Sequence, residues 1–331
     1  MSFNFDQNKR PNVAGKSALT PRILVLGSYV HANCLLLKRL PEPGESLSAD
    51  GWVSEHGGKG LNVIVGLHKL GIQTIPIVAI GRDEAGDRML AWYRAMALDD
   101  SYVYRLGDQS GYGVGLIAAN GQNMIAVYPG ANNLLAAEHI ELPVSSLEVG
   151  DWVYGQFEIA DEPIMVSFRY AKQRGCTTVL NPSPWRQVAT ELMALTDILL
   201  INQQEAHLLT GMSFTEKSIS QSGQQIQNWL QQQACPGLRV ILTLAGQGAL
   251  AVSQQETLYQ PAFKINALDA TGAGDAFAAG LIGSLSLGQG LGQALLEACA
   301  CGALTAAQLG VWQVLPTSFE LEAWLTDQSS A

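Results

Sequence analysis

The stretch Asp269-Ala-Thr-Gly-Ala-Gly-Asp275-Ala-Phe277 gathers two acids and two glycines into one short run. The preceding Phe263–Leu268 reads as β-like. After it, Phe277, Leu281 and Leu285 recur at a spacing of four with Ala278 and Ile282 beside them, which is one face of a helix. Gly272 and Gly274 permit a sharp turn and a close approach of backbone to a ligand. Such a turn aims the N–H groups of Gly272, Ala273 and Gly274 into one small volume at the positive end of a helix dipole. That volume suits a phosphoryl group or an oxyanion. Asp275 would repel a resting phosphate there. Its position makes sense if it accepts a proton from an attacking hydroxyl while the amides hold the transferring group. As a first-turn helix acid it would also simply complement the dipole.

Other stretches carry polar groups at turns. Gly57-Gly58-Lys59-Gly60-Leu61-Asn62 opens a helical pattern over Gly60–Leu70 and places a cation and an amide at the helix start, suited to hydroxyl groups, although three glycines are also ordinary turn chemistry. Glu158 follows a strand-like run in Gln156-Phe157-Glu158, either as a plain loop acid or facing a ligand. Asn202-Gln-Gln-Glu205 has the spacing of a capping box. Thr243-Leu-Ala-Gly246-Gln-Gly248 ends a strand in a glycine turn.

These groups need a scaffold. The chain has 331 residues, 47% of them hydrophobic and 15% charged, enough to bury a large core and to exclude global disorder. The formal net charge is −10, with no Lys/Arg cluster, which argues against nucleic acid or an anionic membrane as partner. Five cysteines without a C-x-x-C pair read as reduced thiols of a cytoplasmic protein. Residues 1–21 are polar and read as a loose tail, not a signal peptide. Gly15-Lys16-Ser17 lacks the first glycine and the preceding strand of a P-loop. The small-apolar run Ala298–Ala307 is too short to span a membrane.

Short apolar runs at Ile23–Leu26, Thr74–Ile80, Trp152–Tyr154, Thr177–Leu180, Ile198–Ile201 and Val240–Leu244 read as buried parallel strands. Helical patterns over 60–70, 84–97, 162–174, 205–210 and 219–233 fall between most of them. This predicts an α/β doubly wound, mainly parallel sheet with ligands at the strand C-termini. Gly27-Ser28-Tyr29 does not continue into a dinucleotide fingerprint. Residues 46–54 and 113–128 alternate instead and predict a small antiparallel flap, with Asn120-Gly121 as a tight type I′ hairpin turn.

The 269–277 stretch resembles the D-T-x-G-A-G-D-x-F signature of the ribokinase-like (phosphofructokinase-B family) carbohydrate kinases. Gly57–Asn62 is similar to that family's G-G-K-G-x-N, Gly44-Glu45 to its P-G-E, and Gly81-Arg-Asp-Glu-Ala-Gly86 to its G-x-D-x-x-G. Gly130-Ala-Asn132, Gln156–Glu158, Asn181-Pro-Ser-Pro184, Asn202–Glu205 and Thr243–Gly248 match further segments in order, so the resemblance covers residues 23 to about 316. It implies a kinase domain over 22–331 with lid segments near 34–56 and 108–130, and a homodimer formed through the lid. It implies ATP as phosphoryl donor, a sugar or nucleoside as acceptor, Mg²⁺, and K⁺. Asp275 becomes the catalytic base and Gly272, Ala273 and Gly274 the anion hole. Gly57, Gly58, Lys59, Asn62 and Glu158 become acceptor-binding. Asn202, Thr243, Gly246, Gly248 and Cys299 face the nucleotide, Glu205 the Mg²⁺ shell, and Asp269 with the Thr271 backbone a monovalent cation. The chain departs from the family at Cys299, where Asn is usual, at Ala245, where Gly is usual, and at Ala32. There the family carries a sugar-binding Asp; Asn33 (or His31) is the substitute at hand, although strand alternation points such neighbours the opposite way, and ribose is expected to be a poor acceptor. Alternatives on the same fold are a nucleoside or keto-sugar-acid kinase, or a ligand-binding regulatory protein with a relic site.

Overall fold

The computed structural model describes residues 20–120, 122–214 and 218–330. Residues 1–19 of the expected tail and Gly121 of the expected hairpin turn lie outside the described residues. In chain order the strands are β1 (Ile23–Leu26), β2 (Val30–Leu37), β3 (Gly51–Gly57), β4 (Thr74–Ile80), β5 (Val103–Arg105), β6 (Gly111–Ala118), β7 (Asn123–Tyr128), β8 (Trp152–Gln156), β9 (Thr177–Asn181), β10 (Ile198–Asn202), β11 (Arg239–Thr243), β12 (Ala249–Val252) and β13 (Thr257–Gln260). The helices are α1 (Lys59–Lys69), α2 (Glu84–Ala95), α3 (Ala137–Ser145), α4 (Asp161–Gln173), α5 (Thr190–Ala194), α6 (Gln203–Thr210), α7 (Ile219–Gln232), α8 (Ala273–Ser286), α9 (Leu291–Ala306) and α10 (Ser318–Ser330).

The large sheet has the order β13-β12-β11-β10-β9-β8-β1-β4-β5. It is parallel from β11 to β5, and β12 and β13 close one edge antiparallel. Its central strands are buried on both faces, which is why they read as unbroken apolar runs. Ile23 and Val25 of β1 pack with α1, α2, α8 and α9 on one face. Leu24 and Leu26 pack with α3, α4, α6 and α7 on the other. α8 is buried on nearly every side because small residues let its neighbours come close. A Cβ on Gly280 would lie 2.9 Å from Cys301 Sγ, and one on Gly66 2.8 Å from Ala279 Cβ. Among the described residues no helix is long and apolar enough to cross a membrane.

The flap is a second sheet, β3-β2-β6-β7, in which β2 and β6 run parallel and the other pairs antiparallel. Strand alternation puts Leu35, Trp52, Tyr112, Val114, Met124 and Tyr128 on one face, all exposed. Ala32, Cys34, Glu55, Gly57 and Gly113 fall on the other face.

One expectation is corrected. Phe263–Leu268 is no strand: it has no ladder partner, and the amides of Leu268 and Asp269 instead donate to the carbonyl of Ala306 at the end of α9. At the β6–β7 connection Ile117 pairs with Asn123, Ala118 N–H donates to Gln122 O, and Asn120 Oδ1 accepts from Gln122 N–H.

Candidate active site

The C-terminal ends of β1, β8, β9, β10 and β11 open toward the starts of α1 and α8. Gly272 caps α8 in the left-handed conformation at φ 75°. A Cβ there would strike Val311 Cγ1 at 2.7 Å, so the turn admits glycine alone. Gly274 faces open space, with nothing within 4 Å of a would-be Cβ. Ala273 N–H donates to Ala270 O at 3.2 Å and is spent inside the turn. Among the described residues the N–H groups of Gly272, Gly274 and Asp275 have no protein acceptor. Of the three expected donors, Ala273 N–H is taken up inside the turn, while those of Gly272 and Gly274 stand free beside that of Asp275.

Asn62, in the first turn of α1, donates through Nδ2 to Asp275 Oδ2 at 2.7 Å. That bond ties the two helix starts together and fixes the carboxylate beside the free amides. Burial pushes the Asp275 carboxyl up to about 6, against the pull of Lys59 and Asn62, and Glu158 adds to the rise. It nonetheless keeps part of its surface open to the cleft. Lys59 is the cation here. Asp275, Glu158 and Glu205 together hold its ammonium above the ordinary value, Asp275 most of all, against the opposing cost of burial.

Glu158 is held more firmly than a ligand-facing loop acid needs to be. Its Oε2 accepts from Ser28 Oγ at 2.6 Å and from Lys59 N–H at 2.8 Å, and its own N–H donates to Gln156 Oε1 at 2.6 Å. Ser28 Oγ in turn accepts from Gly60 N–H at 3.1 Å. The carboxylate thus sits on the N-terminus of α1, where the dipole favours it. Gly60 makes the close approach possible, and Gly57 and Gly58 bring the chain to it from β3. Ser28 is a site residue the sequence reading passed over, although it lies in the noted Gly27-Ser28 strand end.

Asn202 and Glu205 form the capping box of α6: Asn202 Oδ1 accepts from Glu205 N–H, and Glu205 Oε2 accepts from Asn202 N–H, each at 2.9 Å. Glu205 is only 6% exposed, and burial pushes its carboxyl up, with Asn202 and the nearby Ser183 opposing the rise. Ser183 was likewise missed, inside the recognised Asn181–Pro184 segment. Thr243 ends β11 beside Asn202, its register partner in β10. Gly246 lies with open space at its Cβ position, and Gly248 closes the turn into β12 through Leu244 N–H to Gly248 O. Ala245 takes a left-handed φ of 49°, which explains why glycine suits that position. Asp269 Oδ1 accepts from Thr271 N–H at 2.9 Å.

Three residues are not brought into this cluster as expected. Asn33 pairs with Ser54 and Val114 on the lid face opposite to Ala32. His31 shares Asn33's face, bonded to Ser54 Oγ at 3.3 Å and stacked near Tyr112. Neither replaces an acid at position 32. Cys299 packs inside the α8–α9 core, where burial pushes its thiol up to about 12.

Sequence comparison decides the family. The pfkB family carbohydrate kinase profile matches residues 21–318. The chain belongs to this family. This kinase is 31% identical over 274 residues to a ribokinase of Staphylococcus aureus, covering 82% of this chain and 88% of that one. It is 28% identical over 259 residues to a deoxyribokinase of Salmonella typhi, covering 77% and 82%. In three dimensions it matches the crystal structure of a Thermotoga maritima ribokinase with a TM-score of 0.79 at 26% identity, over 93% of this chain and 100% of that one. An Arabidopsis thaliana ribokinase complexed with ribose and ATP matches with a TM-score of 0.81 at 25% identity, over 92% and 98%. The kinase is a phosphotransferase with an alcohol group as acceptor, on the ribokinase-like α/β fold.

Proposed function

We propose that this kinase transfers the γ-phosphoryl group of ATP to a primary hydroxyl of a sugar or sugar-like acceptor, with Asp275 as base. The observation that carries the reading is the 2.7 Å Asn62–Asp275 bond, which sets a carboxylate of raised pKa beside free helix-start amides. In the step the acceptor oxygen bonds to the γ-phosphorus, the bond from that phosphorus to the β,γ-bridging oxygen breaks, and the hydroxyl proton passes to Asp275. ADP carries away the bridging oxygen. The N–H groups of Gly272 and Gly274 stabilise the charge on the transferring group, and Lys59 offsets the acids around it. Most of the work is positioning and charge stabilisation, as expected for a loose transition state. Asn62, Gly57 and Gly58 position the acceptor, while Glu158 reaches it with the oxygen not spent on α1. Thr243, Gly246 and Gly248 line the nucleotide side.

Glu205 is a buried carboxylate with no cation within ion-pair distance among the described residues. That arrangement fits Mg²⁺ held through its water shell by Glu205 and Asn202. When bound, the ion neutralises charge on the phosphates. A screen of pentoses, hexoses, sugar acids and nucleosides for acceptor-dependent ADP release tests the whole assignment. An active acceptor is expected among the sugars or nucleosides, and a protein stimulated by none would end the reading.

Asp269 and Thr271 fit a monovalent cation that steadies the turn from outside the reacting atoms. Replacing K⁺ by tetramethylammonium at fixed ionic strength is expected to lower turnover. Equal rates in the two salts would remove the cation.

The second sheet is the lid over the acceptor, and its exposed outer face pairs two copies of the chain. An apolar group of this kind, with Trp52 at 69% and Met124 at 58% exposure, is what a lone monomer rarely shows. Trp52→Asp together with Met124→Asp should convert a dimer to a monomer in sedimentation. A wild-type protein that sediments as a monomer at micromolar concentration would refute the pairing.

A further inference from the structure

On the strands of the lid one carboxylate stands alone. Glu55 in β3 is directly opposite Ala32 of β2, and Ala32 is opposite Gly113 of β6. Paired residues share a face, so across the sheet from Glu55 there is a methyl group and then no side chain. Gly57, two residues on and therefore on the same face, leads straight into α1; a Cβ on it would lie 3.8 Å from Ala32 Cβ. The face therefore turns toward the start of α1. It also turns toward α8. Gln313 Nε2 donates to Glu55 Oε2 at 3.3 Å, and Gln313 lies in the loop whose Val311 abuts the Gly272 turn.

The charge environment agrees with this placement. Burial, and then the nearby Asp269, push the Glu55 carboxyl up, opposed by the Gln313 amide. Glu55 is half-buried, and among the described residues no Lys, Arg or His lies within ion-pair distance of it. A carboxylate has about four acceptor positions, and the long amide contact uses one. A half-buried acid with spare acceptors and no cation is costly unless something donates to it. Hydroxyl groups are donors without charge.

We propose that Glu55 is the residue that selects the acceptor, receiving two neighbouring hydroxyls of a neutral sugar from the lid side of the cleft. This rests on the kinase reading above. Two features of the cleft set the substrate class. Small neighbours at Ala32 and Gly113 leave room for a ring between lid and floor. Asp275, Glu158 and Glu205 surround Lys59, and Asp269 lies near Glu55, so a further carboxylate on the acceptor meets repulsion. Neutral polyhydroxy acceptors with a vicinal diol are favoured, and keto-sugar acids and sugar phosphates are rejected.

The test uses the wild-type protein, Glu55→Ala, Glu55→Gln and the double variant Ala32→Asp/Glu55→Ala on the same acceptor panel. For the preferred neutral sugar, Glu55→Ala should raise KM about 10- to 100-fold, the loss of charge-assisted hydrogen bonds. Both kcat and the KM for ATP should move by less than about threefold, the signature of lost ground-state binding. Glu55→Gln should fall between, because its amide still accepts one bond. The double variant should recover part of the affinity, since an acid at position 32 returns a carboxylate to the same face from the facing strand. Unchanged Tm in the variants separates these effects from misfolding. A wild type active on some acceptor whose KM is unmoved in both Glu55 variants overturns the role of Glu55 and leaves the kinase reading standing. A wild type active on no acceptor overturns both.

Discussion

Asp275→Asn should leave a folded, ATP-binding protein whose kcat is lowered by about 10²–10⁴. That corresponds to roughly 3–5.5 kcal/mol of transition-state stabilisation. The substitution is nearly isosteric, and an Asn oxygen can still accept the hydrogen bond from Asn62 that orients position 275. What disappears is the ability to take a proton. Affinity for ATP should hold or improve, because a negative charge beside the γ-phosphate is removed. The pH profile supplies a second signature. The burial-raised carboxyl of Asp275 titrates at about 6. A base works only when ionised, so wild-type kcat/KM should fall as pH drops through about 6 and level off above it. In Asp275→Asn that limb should vanish from the residual rate. Wild-type kcat in the well-folded variant would make the Gly272–Asp275 turn structural and the mechanism wrong.

Gly60→Ala should destabilise the fold by about 3 kcal/mol, the upper part of what overpacking costs. Its Cβ would lie 2.5 Å from Gly27 Cα and Ser28 N and 2.7 Å from Gly27 C. All three are main-chain atoms, so no rotamer can relieve the contact. α1 must move off the end of β1, and the bonds from Gly60 N–H to Ser28 Oγ and from Lys59 N–H to Glu158 are stretched as it goes. Calorimetry should show Tm lower by about 5–10 °C, with weaker acceptor binding in whatever remains folded. Gly292→Ala is the control, since a Cβ there meets nothing within 4 Å and the site is inside α9. It should be neutral or slightly stabilising. A Gly60→Ala protein melting with the wild type would mean that the α1 start is not pinned against β1.

The parallel core was legible because its strands are buried on both faces. Runs such as Ile23–Leu26 and Thr74–Ile80 hold no polar residue beyond the opening Thr74, and their ends match the observed strands. The edge was less so. Ala249–Val252 and Thr257–Gln260 are four residues each, too short for a pattern to show, and they form by pairing back in turn, the first on β11 and the second on the first. Phe263–Leu268 shows the converse: β-like residues with no partner remain irregular. In the site, groups that act through their own turn could be found from spacing, as with the Asn202–Glu205 cap. Groups that act across the fold could not. Nothing near Ser28 in the chain announces that it braces Glu158, and nothing near Ala32 announces that Glu55 stands opposite. Register alone makes those neighbours. The same alternation removes Asn33, adjacent in sequence and on the wrong side of the sheet.

The lid joins the body at a junction of main chain braced by a few short polar side chains. Asn132 Oδ1 accepts from Tyr29 N–H at 2.9 Å and its Nδ2 donates to Tyr29 O at 2.7 Å, so one side chain stands in for a strand where the chain leaves β1. Asp83 binds Ser110 in the same way, through the N–H at 2.8 Å and the hydroxyl at 2.6 Å. At Gly111 and Gly130 main chain rests directly on main chain. Beyond it the lid strands touch the body at His56, against Trp92, and at Glu55, through Gln313. On the proposed reading the remaining exposed positions of the plate are free to diverge, on one face toward new acceptors and on the other toward new partners, while the floor stays fixed. A change of diet would then need only a few codons in four short strands.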